Sequence, residues 1–384
     1  MYIFTRYVVS EVLKVFLVTL TALTLFVTLG MGVKEGLSRG LPPMVMFYTM
    51  PYMLPEMLGI TIPVSLLLAV SIVYGRMTGT NEVVAIKSLG INPMAIIWPA
   101  IVVAFLLSLG TVWTQEIAAT WSRPSYAKVV AESVEEIAYA MLRTNHSFSW
   151  PPQFSITVKR VEDKKLIHPT IFIEANGNNP TTTLRAAEAE LYTDRKAQVL
   201  NIICRDVEVD VEGQMRFRNP EEMHLFLSIF NPGKPDEHHR DWLAMYEIPA
   251  HIAQLKSEVW QIQQRCAALA VNHQPPSPAD NERLVKLWYL IHRLQTEPFR
   301  RLSNGFTCLC FVLIGIPVSM LWRHADVLTN FFVCFVPILS IYYPLLMFSE
   351  DLSTSGKLPP ISFWMSNALL IVSGIFLLRR IVRH

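Results

Sequence analysis

The residue patterns that would mark an ATPase or a hydrolase are absent from this chain. A phosphate cradle ends in Gly-Lys followed by Ser or Thr, so that backbone N–H groups and the lysine surround the phosphates. The two Gly-Lys pairs, Gly233-Lys234 and Gly356-Lys357, run instead into Pro235 and Leu358. ATP hydrolysis through a phosphate-binding loop is therefore not this chain's own work. No His-Glu-x-x-His, Cys-x-x-Cys or Gly-x-Ser-x-Gly is present either, which leaves zinc and serine hydrolase chemistry without an anchor. His224, His238, His239 and His251, with Asp236 and Glu237, form a metal-like grouping. Its flanks, residues 231–235 and Asp241, read as a solvated loop, whereas structural metal sites need defined ligand spacing on rigid elements. No metal or other cofactor is expected.

Two polar features remain that could carry function. Glu56, between Pro55 and Met57, is an acid inside an apolar run, placed either to reach the lipid interface or to face a cavity. The segment from Tyr74 to Pro93 reads as a short amphipathic helix between two apolar runs. Thr80 or Asn81 can cap it, Glu82 suits the positive helix start, and Gly90 can end it before Pro93. Its apolar residues Val83, Val84, Ile86 and Leu89 can dip into lipid headgroups. Equally, they can fill a groove on a partner protein while Glu82 fixes the register. Spacing alone does not choose between these readings.

The elements that position these residues are mostly membrane spans. Of 384 residues, 52% are hydrophobic and 17% charged, and mean hydropathy is +0.33. An ordinary soluble chain carries about 25% charged residues. Net charge is only +2, so nucleic acid is not an expected partner. Crossing a bilayer takes about 20 apolar residues in a helix, which satisfies its own backbone hydrogen bonds. Six runs qualify: 12–33, 52–74, 94–113, 303–322, 327–348 and 358–378. The first lacks a small-residue cleavage site and reads as a retained helix.

Lys and Arg in short loops stay in the cytoplasm. Arg6, Lys14, Arg76, Lys87, Arg323, Arg379, Arg380 and Arg383 all fall on one side of a six-span topology, while Lys34, Glu35, Arg39, Glu350, Asp351 and Lys357 give the other side a mixed charge. Both termini are thus expected in the cytoplasm and the long insertion outside, in a periplasm if the cell has one. Residues 154–230 of that insertion are β-like, with runs such as 154–158, 170–173 and 199–204 separated by turns at 163–165, 176–180 and 212–213. A small sandwich or jelly roll follows. Residues 248–266 and 282–300 turn helical, with Ile252, Leu255, Val259 and Ile262 at steps of three and four, and a Pro-rich break at 273–280. Of the five cysteines, only Cys204 and Cys266 could meet as a pair in the insertion, and buried free thiols are the preferred reading.

Particular residues now carry a resemblance. Asn81-Glu82, Ala85 and Leu89-Gly-Ile-Asn-Pro93 resemble the cytoplasmic loop of the lipopolysaccharide-export permease family LptF and LptG (YjgP/YjgQ). Glu297-Pro-Phe-Arg-Arg301, Gly315-Ile-Pro317, Gly356-Lys-Leu-Pro-Pro360, Trp364, Asn367 and Arg379-Arg380 are similar to its C-terminal segment, and 183–191 to one of its strands. The helical stretch 248–300 is longer than the resemblance leads one to expect.

The resemblance implies an α-helical membrane protein with six transmembrane helices, three plus three, around an inserted all-β, jelly-roll-like periplasmic domain. The expected division is residues 1–122 for spans one to three, with the coupling helix at 79–90; 123–247 for the β domain; 248–300 for a helical extension; and 301–384 for spans four to six. It further implies a non-enzymatic permease subunit of an ATP-binding-cassette transporter in the inner membrane. Its partners would be a cytoplasmic ATPase dimer, a sister six-span permease, a periplasmic jelly-roll bridge protein and lipopolysaccharide. Asn81, Glu82, Ala85, Leu89 and Gly90 would meet the ATPase, and the first and fifth spans would form lateral gates. Lys34 and Arg39 lie where basic residues can meet lipid phosphates, or where they simply snorkel. A lipoprotein-release or FtsX-like permease is disfavoured, because three spans precede the insertion here rather than one. An ion-coupled secondary transporter would need midplane ionisable residues or broken helices in both halves, for which Glu56, Pro317 and Pro337 are the candidates. A membrane-anchored enzyme acting through the outer domain lacks any catalytic constellation.

Overall fold

The architecture was analysed in a computed structural model. It describes residues 2–39, 43–150, 154–162, 164–173, 182–194, 199–211, 215–219, 221–228, 242–271, 278–322 and 327–383. Six of its helices are long and apolar enough to cross a membrane, and an antiparallel sheet domain is inserted between the third and the fourth. The chain divides into two compact units, one comprising Met1–Thr28, Leu54–Arg123 and Asp236–His384, the other Leu29–Met53 and Pro124–Pro235.

The spans are α1 (Tyr2–Arg39), α2 (Pro43–Gly79), α4 (Met94–Ile117), α8 (Pro278–Leu321), the pair α9 (Val327–Pro337) and α10 (Tyr343–Thr354), and α11 (Trp364–Arg383); all lie in the first unit except the end of α1 and the start of α2, which fall in the second. A short α3 (Glu82–Ser88) joins α2 to α4. A single wide helical turn, Ile338–Tyr342, follows Pro337 and links α9 to α10 within one continuous fifth span. The share of each span's most apolar window that is buried is 72% for α2 and 61% for α8, but 22% for α1 and 17% for the fifth span. Hence α2 and α8 form the centre of the unit, and the first and fifth spans leave most of their surface uncovered.

Lipid supplies no hydrophobic drive between helices, so close approach and hydrogen bonds must hold the spans together. Gly305 of α8 lies directly against Val112 of α4, and a Cβ on Gly374 of α11 would sit 2.8 Å from the Leu313 carbonyl of α8. Asn367 Nδ2 of α11 donates to the Ser303 carbonyl of α8 at 2.8 Å. The hydroxyls of Thr307 and Tyr342, 2.8 Å apart, tie α8 to the wide turn of the fifth span.

Above its membrane portion α8 pairs with α7 (Ile248–Val271). Ile248, Ile252, Leu255, Val259, Ile262 and Cys266 advance by alternating steps of four and three, as do Leu284, Leu287, Ile291 and Leu294 by steps of three and four, and all contribute to one apolar cluster. Such a heptad pattern makes a two-stranded antiparallel coiled coil. The helical expectation for this region is met. The break at residues 273–280 is only partly described: 272–277 lie outside the described residues, and α8 already begins at Pro278.

In the second unit the sheet is preceded by two helices that the sequence patterns do not announce, α5 (Arg123–Glu132) and α6 (Val134–Asn145). The sheet follows: β1 (Ser147–Trp150), β2 (Phe154–Thr157), β3 (Arg160–Glu162), β4 (Lys165–Ile167), β5 (Thr170–Ile173), β6 (Thr182–Asp194), β7 (Val199–Val211), β8 (Met215–Asn219) and β9 (Met223–Ser228). All described pairings are antiparallel. β6 and β7 form its spine. Their ladder skips one residue on each strand, Ala187 and Asp206, and there the partners change: β5 gives way to β4 along β6, and β9 to β8 along β7. Asp206 occupies the left-handed region at φ 51°, and Arg218 grips its carboxylate through two hydrogen bonds of 2.8 and 2.7 Å. Alternate inward residues, including Ile156, Leu166, Ile171, Leu184, Leu200, Ile202 and Val207, form a core on which Ile137, Ala138 and Leu142 of α6 pack. The expected turns at 176–180 and 212–213 lie outside the described residues. Cys204 is buried in this core, Cys266 sits on α7, and both are free thiols.

Candidate functional site

Short α3 is positioned by a tight corner. Beyond α2, the Thr80 N–H donates to the Arg76 carbonyl at 2.9 Å and the Asn81 N–H to the Thr78 carbonyl at 3.1 Å. Asn81 then takes a left-handed conformation, φ 62° and ψ 14°, which Asn tolerates better than most residues. The expectation of a side-chain cap is not met. Asn81 holds the N-cap position without a side-chain cap bond, and it is the backbone that turns there. The Thr80 hydroxyl lies 3.0 Å from Glu82 Oε1, fixing the carboxylate at the helix start. At the far end Gly90, φ 74°, closes the helix by donating its N–H to the Lys87 carbonyl at 2.9 Å. Asn92 Oδ1 accepts the Met94 N–H at 2.9 Å and so starts α4.

This corner divides the helix into two faces. Val83 and Ile86, each 5% exposed, are buried in one apolar cluster that also holds Val8 and Val12 of α1, Met77 of α2, Met320 of α8 and Leu378 and Ile381 of α11. The reading that all four apolar residues serve as anchors for a partner or for lipid is thereby corrected for two of them: Val83 and Ile86 are core of this chain. Asn81, Val84, Ala85, Ser88, Leu89 and Gly90 form the exposed face, Leu89 being 74% exposed, with Glu82 half-buried at its edge. The structure therefore brings Asn81, Glu82, Ala85, Leu89 and Gly90 together on one short element. Since the beginning of α1, the ends of α8 and α11 and the α2–α4 corner share one cluster, they meet at the same end of the bundle.

Lys34 lies near the end of α1 in the second unit, with an exposed side chain. Arg39 closes that helix and its side chain lies outside the described residues. Glu56 is ion-paired to Arg123 at 3.0 Å, so the acid available to an ion-coupling mechanism already has its counter-charge. Of the histidine grouping, 236–239 lie outside the described residues, and among the described residues no three metal-ligating side chains converge.

A second constellation escaped the sequence reading. Arg301 of α8, its side chain 3% exposed, donates to Glu116 of α4 at 2.7 Å and to Glu297 one turn earlier at 3.1 Å. Arg300 binds Glu297 at 2.7 Å and approaches Glu350 of α10 at 3.8 Å. Glu116 also accepts the Met245 N–H at 2.8 Å, just ahead of α7. Three spans and the root of the helical hairpin thus share one charge network. Glu116 could have been found as the first charge after the uncharged run 94–113, at the same boundary at which Arg301 enters the fourth span.

Six spans, an inserted sheet domain and a two-faced helix in a short connecting loop define a polytopic membrane protein. The family model for the lipopolysaccharide export system permease LptF/LptG matches residues 6–380, and the chain belongs to that family. It is accordingly a lipopolysaccharide export permease of an ABC transporter, a non-catalytic transmembrane subunit. Comparison with curated proteins returns no match.

Proposed function

We propose that this chain is one of two related six-span permeases seated on a cytoplasmic ATPase dimer. Together they extract lipopolysaccharide from the outer leaflet of the inner membrane and pass it to a periplasmic jelly-roll bridge protein. In this reading both termini and α3 are cytoplasmic and the sheet domain is periplasmic. The working parts are residues 1–122 and 301–384 for transport across the spans, 123–247 for the handover domain and 248–300 for a helical extension.

The two-faced packing of α3 is the observation that supports this most. With Val83 and Ile86 committed to the bundle, a partner meets a rigid ledge of Asn81, Ala85, Leu89 and Gly90, and Glu82 at its edge offers the charge that sets register. An interfacial lipid helix would turn its apolar residues outward, and here half of them point inward. Lys34 and Arg39 supply cations for the lipid phosphates where the first span leaves the membrane.

Co-purification of the ATPase with the Glu82→Lys variant tests the docking role. Loss of ATPase association and of lipid release, with the variant still folded, is expected; unaltered association and release would overturn it. Photo-crosslinking from position 34 is expected to give a lipopolysaccharide adduct. Adducts from neighbouring positions alone would return Lys34 to an ordinary flanking lysine.

A further inference from the structure

Two polar contacts flank the ledge, one from α3 itself and one from the last turn of α2 just before the corner, and they run to different spans. On the α3 side, Lys87 Nζ donates to the Ile381 carbonyl of α11 at 3.2 Å in a part-buried setting. Ile381 lies in the last turn of α11, where carbonyls have no N–H of their own helix to accept from. Lysine is suited to cap such a turn, since its charge also meets the negative helix end. On the α2 side of the corner, Arg76 Nη2 binds Glu11 Oε2 of α1 at 2.7 Å, and Lys14 lies 3.5 Å from the other oxygen of the same carboxylate. One tie reaches the first span and the other the sixth. Val83 and Ile86 belong to the same buried apolar cluster as residues of α1 and α11.

We infer that Lys87 and the Arg76–Glu11 pair are positioning residues that deliver a displacement of α3 to spans one and six together. A push on an exposed face moves only what that face is fastened to. Apolar contacts alone allow a seven-residue helix to slide, because they are non-directional. A charge-assisted hydrogen bond onto one named carbonyl, and an ion pair onto one named carboxylate, fix direction as well as proximity. Since α1 belongs to the first three-span block and α11 to the second, the corner acts as a clamp across the two halves of the chain.

This inference rests on α3 being the ATPase-docking element, and its test separates the two ideas. The full complex, with sister permease and ATPase, is reconstituted in proteoliposomes containing lipopolysaccharide. Association, ATP turnover and lipid released per ATP are measured for Lys87→Met, Lys87→Arg and Glu11→Gln, with Glu82→Lys as the docking control. Lys87→Met keeps the aliphatic stem and loses the donor. Expected are unchanged association, retained ATP turnover and a fall of about tenfold in lipid released per ATP, the equilibrium shift that losing one charge-assisted hydrogen bond represents. Amide exchange should rise at residues 378–383, and Lys87→Arg should restore most of the ratio. A folded Lys87→Met complex with an unchanged ratio overturns the inference. So does a fall in turnover and release in parallel, which marks a merely structural loss. If Glu82→Lys leaves association intact, the docking reading fails on its own account, whatever Lys87 does.

Discussion

Arg301 shows how a charge can be kept at the end of a span. Burying a guanidinium is costly, and removing its partners leaves a charge without compensation, typically at a cost of about 3–5 kcal/mol. Here Glu116 and Glu297 both reach it, and Glu297 is in turn shared with Arg300. Arg301→Met should destabilise the detergent-solubilised protein by an amount in that range, read as a lowered melting temperature. Arg301→Lys should recover part of the loss, because an ammonium cannot fork between two carboxylates as a guanidinium does. The paired change Arg301→Met with Glu116→Gln should be milder than Arg301→Met alone, since it removes both members of the inter-helix pair. Equal losses for the single and the paired change would argue that the network is not what holds α4 to α8. The residues of this network were all visible in the sequence, but their convergence was not, because 185 positions separate Glu116 from Arg301.

On the scale of elements, α3 separates a buried face from an exposed one within seven residues, the exposed one being the proposed docking face. Ile86→Asp would bury a carboxylate among Val8, Met77 and Leu378 and should unfold the corner, lowering thermal stability. Leu89→Asp, on a 74% exposed side chain, should leave stability within about 0.5 kcal/mol and act on ATPase association instead. If both changes cost the same stability, the division of faces is wrong. Much at this scale was legible in advance. Apolar run length gave all six spans, and period-two runs located β2, β5 and β7. The span ends were read too short, because a helix does not stop where hydrocarbon ends: α1 covers Tyr2–Arg39 and α8 covers Pro278–Leu321. Helices α5 and α6 were missed for a related reason, since the third span continues through a wide turn at Ala118–Ser122 into sequence too polar to be read as membrane. Which side of α3 faces inward could not be read either. The short segment shows two apolar pairs, Val83 with Ile86 and Val84 with Leu89, and the choice of Val83 and Ile86 rests on residues far off in the sequence, such as Met320, Leu378 and Ile381, that share their cluster.

For the molecule as a whole, family membership and topology make one prediction about sidedness. With an impermeant maleimide applied to cells whose outer membrane is permeabilised, Lys159→Cys on the sheet domain should label in intact spheroplasts. Ser88→Cys on α3 should label only after lysis. Both positions have exposed side chains, and four of the five native cysteines are buried, so background labelling should be low. The reverse pattern would invert the proposed orientation.

One consequence follows from α8 being a single helix of 44 residues. At 1.5 Å per residue it is about 66 Å long, roughly twice the hydrocarbon thickness. Some 20 residues suffice to cross the bilayer, which leaves about 35 Å standing clear as one strand of the coiled coil. A rod pivoted at its midpoint trades angle for distance: a tilt of about 10° within the membrane sweeps the free tip through about 6 Å, more than the 5.4 Å pitch of one helical turn. Small rearrangements among the spans would thus be magnified at the far end of the hairpin to the extent that α8 stays straight through Pro298, which lies inside it near the midpoint.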